Sequence, residues 1–298
     1  MYKRNVTVFT PTYNRGYIIE NLYKSLKKQT IFDFEWLVID DGSNDETEDL
    51  FKKWTKDNND FSIRYIKKEN GGKHRAINRG VELAEGELFF IVDSDDYIVE
   101  NAIELIIKWN NSIKNSEEKF SGIAGLKGYT NDTIVGSTFD GVYLDATSIE
   151  RKKYNILGDK AEVFYTDILK KFKFPEIENE KFISENIVWD KIAFNGYKIR
   201  WFNEIIYICN YLNDGLTKSG QKLFLDNPKG YALIINKNIE YYNKSFKEKI
   251  YSYFNYYIQL RDKLTIREMS ENLQINILFL QGIIIMWKIK GVIKRMIR

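Results

Sequence analysis

Three short apolar runs in the first hundred residues each stop at a cluster of polar, turn-prone residues, and this arrangement constrains the fold most. Val6-Thr7-Val8-Phe9 stops at Thr10-Pro11-Thr12, Trp36-Leu37-Val38-Ile39 at Asp40-Asp41-Gly42-Ser43, and Leu88-Phe89-Phe90-Ile91-Val92 at Asp93-Ser94-Asp95-Asp96. Helical spacing fills the gaps: Ile18, Leu22, Tyr23 and Leu26 within 16–29, then Leu50, Phe51 and Trp54, then 73–84 after the break at Asn70-Gly71-Gly72. Phe61 to Ile66 alternates as a further strand. Continuous apolar strands separated by helices are the pattern of βαβ units in a buried, mostly parallel sheet. Such sheets bind ligands beyond the carboxyl ends of their strands. The three polar clusters are therefore expected to converge on one edge.

The remainder reads less sharply. A helix is expected over 99–115, strands near 121–126 and 134–145, and a helix over 162–172 that ends at Phe174-Pro175. Another helix begins near Ser184-Glu185, 198–207 reads as a strand, and 228–298 as several helices. The expected division is a domain over 1–215 and a helical region over 216–298, with the boundary in Tyr211–Gly215. Lys and Arg number 45 against 42 Asp and Glu, a net +3 that argues against nucleic acid held by bulk charge. One cysteine, Cys209, excludes an internal disulfide or a zinc site built on cysteines, and any histidine chemistry rests on His74 alone. The start carries no apolar leader and no 20-residue apolar run occurs, so the expected compartment is a reducing cytoplasm.

Each polar cluster has a plain reading beside a functional one. Asp93, Asp95 and Asp96 repel one another unless a cation sits among them, and Mg²⁺ or Mn²⁺ takes carboxylates together with substrate phosphates. The alternative is a solvated acidic turn with Asp96 capping the next helix. Asp40-Asp41 can accept from a base or a ribose, or can shape a turn. Thr10 to Arg15 supplies backbone groups, the Tyr13 ring and a cation, or is an ordinary strand-to-helix turn. Asn70-Gly71-Gly72-Lys73-His74-Arg75 suits phosphate at a helix start, or is a basic cap.

Together these residues resemble family 2 glycosyltransferases of the GT-A fold. The resemblance rests on Val6 to Arg15, Val38 to Thr47, Asn70-Gly71-Gly72-Lys73, Ala76 with Asn78 and Gly80, and Val92 to Asp96. It continues more loosely through Lys173-Phe174-Pro175 and Phe182 to Glu185 to Asp214-Gly215-Leu216-Thr217, and the last 80 or so residues add nothing to it. It implies an α/β Rossmann-like sheet with helices on its faces, a nucleotide-binding half over 1–97, an acceptor-binding half over 98–215, and a C-terminal helical extension. It also implies a Mn²⁺- or Mg²⁺-dependent, inverting hexosyl or N-acetylhexosaminyl transfer. The donor is a nucleotide-sugar, expected to be a UDP-sugar. The acceptor is a hydroxyl of a glycan or lipid-linked molecule in surface polysaccharide synthesis. By position, Thr10, Pro11, Tyr13 and Arg15 match the nucleotide-contacting stretch, Asp41 the acid that binds the base with Asp40 beside it, and Lys73 the basic segment near the nucleotide. Asp93-Ser94-Asp95 matches the DxD motif: Asp95 is the metal ligand, Asp93 lies nearer the ribose or the metal, and Ser94 counts with the nucleotide contacts. The family's Glu-Asp pair appears as Glu185-Asn186, which leaves Glu185 as the base and removes the helper acid. The plain alternative for Glu185 is a charge at a helix N-terminus after Ser184.

Two other activities fit parts of the pattern. A phosphohydrolase would use Asp93 as nucleophile, but such a loop normally follows the first strand, where Thr10-Pro11-Thr12 carries no acid. A non-catalytic nucleotide-sugar-binding module is the other, and the intact acids argue against it. On a helical wheel, 288–298 sorts Lys288, Lys290, Lys294, Arg295 and Arg298 from Ile289, Val292, Ile293, Met296 and Ile297. With Ile283 to Trp287 just before it, this is the pattern of a helix lying in a membrane interface, here on the inner face of the cell membrane. A packed terminal helix or a homo-oligomer contact is the other reading.

Overall fold

The computed structural model describes residues 2–210 and 216–296, with side chains over 2–210 and 220–287. The expected boundary at Tyr211–Gly215 and residues Ile297 and Arg298 lie outside the described residues. The chain divides into two compact units, Met1–Phe174 with Val188–Gly215, and Pro175–Ile187 with Leu216–Arg298.

In the first unit, β1 (Arg4–Thr12), β2 (Phe34–Asp40), β3 (Ser62–Lys67) and β4 (Gly86–Ile91) pair in parallel. The helices α1 (Glu20–Leu26), α2 (Thr47–Trp54) and α3 (Lys73–Leu83) connect them. β2 is buried along its whole length, as a strand covered on both faces must be. Gly80 of α3 lies against β1, where a Cβ would stand 2.2 Å from the Phe9 ring, so only glycine permits that approach. Glu35, near the start of β2, accepts from Thr7 Oγ1 at 2.7 Å, the Glu85 amide at 2.6 Å and Arg64 at 2.7 Å, which satisfies its buried charge.

The sheet continues as a mixed half built from β5 (Tyr97–Ile98), β6 (Phe120–Gly128), β7 (Tyr143–Ala146), β8 (Lys160–Tyr165) and β9 (Lys198–Ile208). Among the described residues it has nine strands in the order β3-β2-β1-β4-β8-β6-β9-β5, with β7 on β9. α4 (Ala102–Asn111), α5 (Thr166–Lys171) and α6 (Asn186–Phe194) complete it. The helix expected over 162–172 begins only at Thr166; before it, β8 lies antiparallel between β4 and β6. Lys160 and Glu162 disguise that strand, and pairing on both sides decides it over local propensity. The turn expected at Thr10 to Thr12 is also strand, registered as far as Thr12↔Asp40. Proline is tolerated there because pairing with β4 ends at Phe9, whose carbonyl accepts from Val92 at 2.9 Å. The missing Pro11 N–H therefore faces a side that β4 has left.

The second unit carries α7 (Leu216–Asp226), α8 (Pro228–Tyr241), α9 (Phe246–Leu260), α10 (Ile266–Leu273) and α11 (Ile277–Met296). Their apolar stripes meet around Tyr256, Leu260, Met269 and Leu280. Capping boxes start α9 (Ser245 with Glu248) and α10 (Thr265 with Glu268). α8 starts on Pro228, and the Glu180 carboxylate accepts from the Lys229 and Gly230 amides at 2.7 Å each. Asn227 accepts from the Lys181 and Phe182 amides, so the segment 175–187 is fastened to these helices.

Candidate active site

The ends of β1 and β2 are stitched to each other. Asn14 takes a positive φ of 51°, its amide donates to Ser43 Oγ at 2.8 Å, and its side chain accepts from the Asn44 amide at 2.8 Å. The Gly16 amide donates to Asp45 at 2.9 Å. Tyr13 is exposed at this rim, and Arg15 lies close enough to Asp95 to act on its charge. Thr12 Oγ1 is buried there without a hydrogen-bond partner, while its carbonyl accepts from the Asp41 amide at 2.8 Å.

Two residues expected to touch nucleotide are committed elsewhere. Thr10 is fully buried and its hydroxyl accepts from the Trp36 indole at 3.0 Å, so its side chain belongs to the core. Asp40 is also fully buried: Oδ1 accepts from the Ser43 amide at 2.8 Å and hydroxyl at 2.7 Å, and Oδ2 from the Tyr65 hydroxyl. A buried carboxylate must be satisfied by protein donors, and here that requirement makes Asp40 the former of the turn. Pro11 is buried next to Thr10 and offers backbone only.

Asp41 points the other way and anchors the segment 68–72. Oδ1 accepts from Lys68 Nζ at 2.5 Å and the Gly71 amide at 2.9 Å; Oδ2 accepts from the Gly72 amide at 2.7 Å and Asn70 Nδ2 at 3.2 Å. Gly72 sits at φ 97°, a conformation that favours glycine, and α3 begins immediately after it. That start places Lys73 so that its ammonium meets Asp93 Oδ1 at 2.6 Å.

The turn after β4 is tied to the end of β9. The Asp93 amide donates to the Tyr207 hydroxyl at 3.1 Å, and that hydroxyl donates to Asp96 Oδ2 at 2.6 Å. Asp96 Oδ1 accepts from the Asn210 amide at 2.7 Å. Lys127 Nζ lies 4.1 Å from the centre of the Tyr207 ring. Burial opposes ionisation of Asp93, but Lys73 and Lys127 outweigh it and hold the carboxyl below the usual range. Burial, then the Asp93 charge, push Asp95 up. Asp95 is half-buried, and among the described residues no other side chain hydrogen-bonds its carboxylate. Ser94 is buried between the two acids. Glu185 occupies the turn just before α6, half-buried, in the second unit.

Lys68, Lys127 and Tyr207 belong to this cluster although no sequence motif marks them. For Lys127 a signal existed: it is a cation directly after the apolar run Ile123-Ala124-Gly125-Leu126. Tyr207 had none, because its role depends on β9 reaching a turn 111 residues away in sequence.

Burial, then Asp93, raise Asp96 to about 7 against the hydrogen bonds from Tyr207 and Asn210. A carboxyl raised in the folded state binds more protons than it does unfolded between its ordinary value of 3.8 and about 7. Its contribution to stability is therefore complete below that window and is lost as pH rises through it, at up to about 1.4 kcal/mol per pH unit. Asp96→Asn should gain on the wild type in unfolding midpoint between pH 4 and 7, roughly the window just given. A constant difference across that range would show that Asp96 does not titrate there.

Residues 7–113 match glycosyl transferase family 2. Over that stretch the chain is similar to this family. Its fold is GT-A, and over 90% of the chain it is similar to residues 1–349 of S. aureus TarS in complex with UDP, with a TM-score of 0.61, 20% identity and 77% of that chain covered. Among curated relatives, the GalNAc(5)-diNAcBac-PP-undecaprenol beta-1,3-glucosyltransferase of Campylobacter jejuni is 24% identical over 266 residues, 86% of this chain and 83% of that protein. Glycosyltransferase GlyG of Streptococcus pneumoniae is 35% identical over 102 residues, which are 34% of this chain and 33% of GlyG. The family 2 match thus covers the strands and turns that carry Asp41, Lys73 and Asp93 to Asp96.

Proposed function

We propose that this chain transfers a sugar from a UDP-sugar to a hydroxyl of a lipid-linked or polymeric glycan in surface polysaccharide synthesis, with inversion at the anomeric carbon. One observation carries the reading: at the carboxyl end of β4, Asp93 is paired with Lys73 while the neighbouring half-buried Asp95 has no side-chain partner among the described residues. The UDP complex of the structurally similar TarS and the undecaprenol-linked substrate in the name of the Campylobacter relative support the donor and acceptor classes.

The donor set suits a divalent cation that the protein does not cage. No group of three or more His, Cys, Asp or Glu poised for a metal occurs among the described residues, and Asp96 is committed to Tyr207 and Asn210. Asp95 with Asp93 would hold Mn²⁺ or Mg²⁺ through oxygen, leaving the remaining positions for diphosphate oxygens, as these ions prefer. Bound there, the ion supplies neutralisation of the charge that develops on the leaving diphosphate.

The protein's own groups do the rest. Thr12 Oγ1, buried and unbonded, offers a hydroxyl to the nucleoside at the β1 exit. Asn70 holds Asp41 by the longest of its four contacts, 3.2 Å, and is the donor that a base N–H would displace. The Tyr13 ring and the Arg15 cation complete the donor side. The base that takes the acceptor proton is assigned to Glu185 from the resemblance, with no second acid at Asn186.

Calorimetry tests the donor assignment. UDP is expected to bind at least about tenfold more tightly with Mn²⁺ than without it, and GDP to bind weakly in both cases. Equal affinity for UDP and GDP, or no UDP binding with Mn²⁺ present, would overturn it.

A further inference from the structure

We propose that the outward face of α9 and the first half of α11 seats the second unit on an anionic lipid surface. From Ile277 to Trp287, α11 is apolar on both sides. Leu280, Ile283 and Ile284 face the core of their own unit. Leu278, Ile285 and Met286 are 72%, 57% and 44% exposed, and with Gly282 they recur at i, i+4, i+7 and i+8, one stripe of the helix. A Cβ added at Gly282 would meet nothing within 4 Å, so the stripe is open. Aromatic rings of α9 border it: Phe246 lies 6.5 Å from Phe279 and Tyr251 lies 6.0 Å from Trp287. A helix of a water-facing protein normally turns such a stripe inward, so this one has an occupant.

Charge identifies the occupant. From Tyr241 to Arg298 there are eleven Lys and Arg against four Asp and Glu, although the whole chain carries only +3. No acid follows Glu271, while Lys288, Lys290, Lys294 and Arg295 follow Trp287 directly in the sequence. An open apolar stripe edged by rings and followed in the sequence by a run whose charges are all basic matches acyl chains and headgroup phosphates together. The fit is to the interface. Among the described residues no single helix is long and apolar enough to span, and α10 with the first part of α11 is bent by 113°. The sequence expectation rested on 283–298; the exposed stripe from Leu278 and the rings of α9 extend it to a surface shared by two helices. This placement is also independent of the donor chemistry.

Vesicle sedimentation of the full chain without substrates tests it. The wild type is expected to sediment with vesicles of equal parts phosphatidylglycerol and phosphatidylcholine, and at least about tenfold less with phosphatidylcholine alone. L278S/I285S/M286S changes exposed positions only and should lose about tenfold or more of that binding with unchanged circular dichroism. K288A/K290A/K294A, the second variant, should lose about 10²-fold or more on anionic vesicles. A wild type that stays in the supernatant, or variants that sediment as it does, would overturn the proposal. So would a lipid-free dimer that the apolar variant converts to monomer, because the occupant would then be a second copy. UDP binding measured on the same samples reports the donor site separately.

Discussion

Asp95→Asn is expected to lower sugar transfer by about 10²–10³-fold while leaving the fold at least as stable as the wild type. The two halves have one cause. Asp95 sits half-buried beside Asp93, and burial with that like charge raises its pKa, so its ionised form is unfavourable in the protein alone. Removing the charge relieves that repulsion. The same charge is what the cation and diphosphate require, so its removal takes away stabilisation of the departing nucleotide. Initial transfer rates and thermal unfolding of the two proteins provide the check. Transfer within tenfold of the wild type would remove Asp95 from the site, and a parallel fall in stability would make it structural.

Asp41→Ala should loosen the segment 68–72 by roughly 3–5 kcal/mol, because it strands a lysine, two backbone amides and an asparagine amide that converge on one buried carboxylate. The effect is local, since Asp41 lies at the strand exit and not in the core. Amide exchange at Gly71 and Gly72 is expected to accelerate by about 10²-fold or more. UDP affinity should fall with it, since α3 and Lys73 start from that segment. Unchanged exchange at both glycines would mean that the segment holds itself.

Asp40 and Asp41 illustrate what could be foreseen. Both follow Ile39, and an Asp-Asp-Gly-Ser string after an apolar run signals a polar strand exit. Side chains of consecutive residues at such an exit point to opposite sides. Which side is core depends on Tyr65 of β3 and Ser43 lying against Asp40, and on 68–72 lying against Asp41. Thr10 and Thr12 divide similarly: Trp36 occupies Thr10, while Thr12 keeps an unbonded hydroxyl. The sequence of β8 reads as helix because the partners that make it a strand, β4 and β6, are remote in sequence.

Local sequence patterns were enough for the parallel half of the sheet, the strand exits bearing Asp41 and Asp93 to Asp96, the helix start at Lys73, and the helical character of the C-terminal region. These follow from patterns a few residues long, because apolar runs, turn residues and helix starts act over one or two turns of chain. Which carboxylates are satisfied and which are not was settled by long-range packing. It brought Tyr207 to Asp96, Lys127 to Tyr207 and Lys68 to Asp41, and it left the α11 stripe uncovered. Whether a carboxylate is buried, paired or open depends on groups that the chain supplies from far away, and no local pattern carries that information.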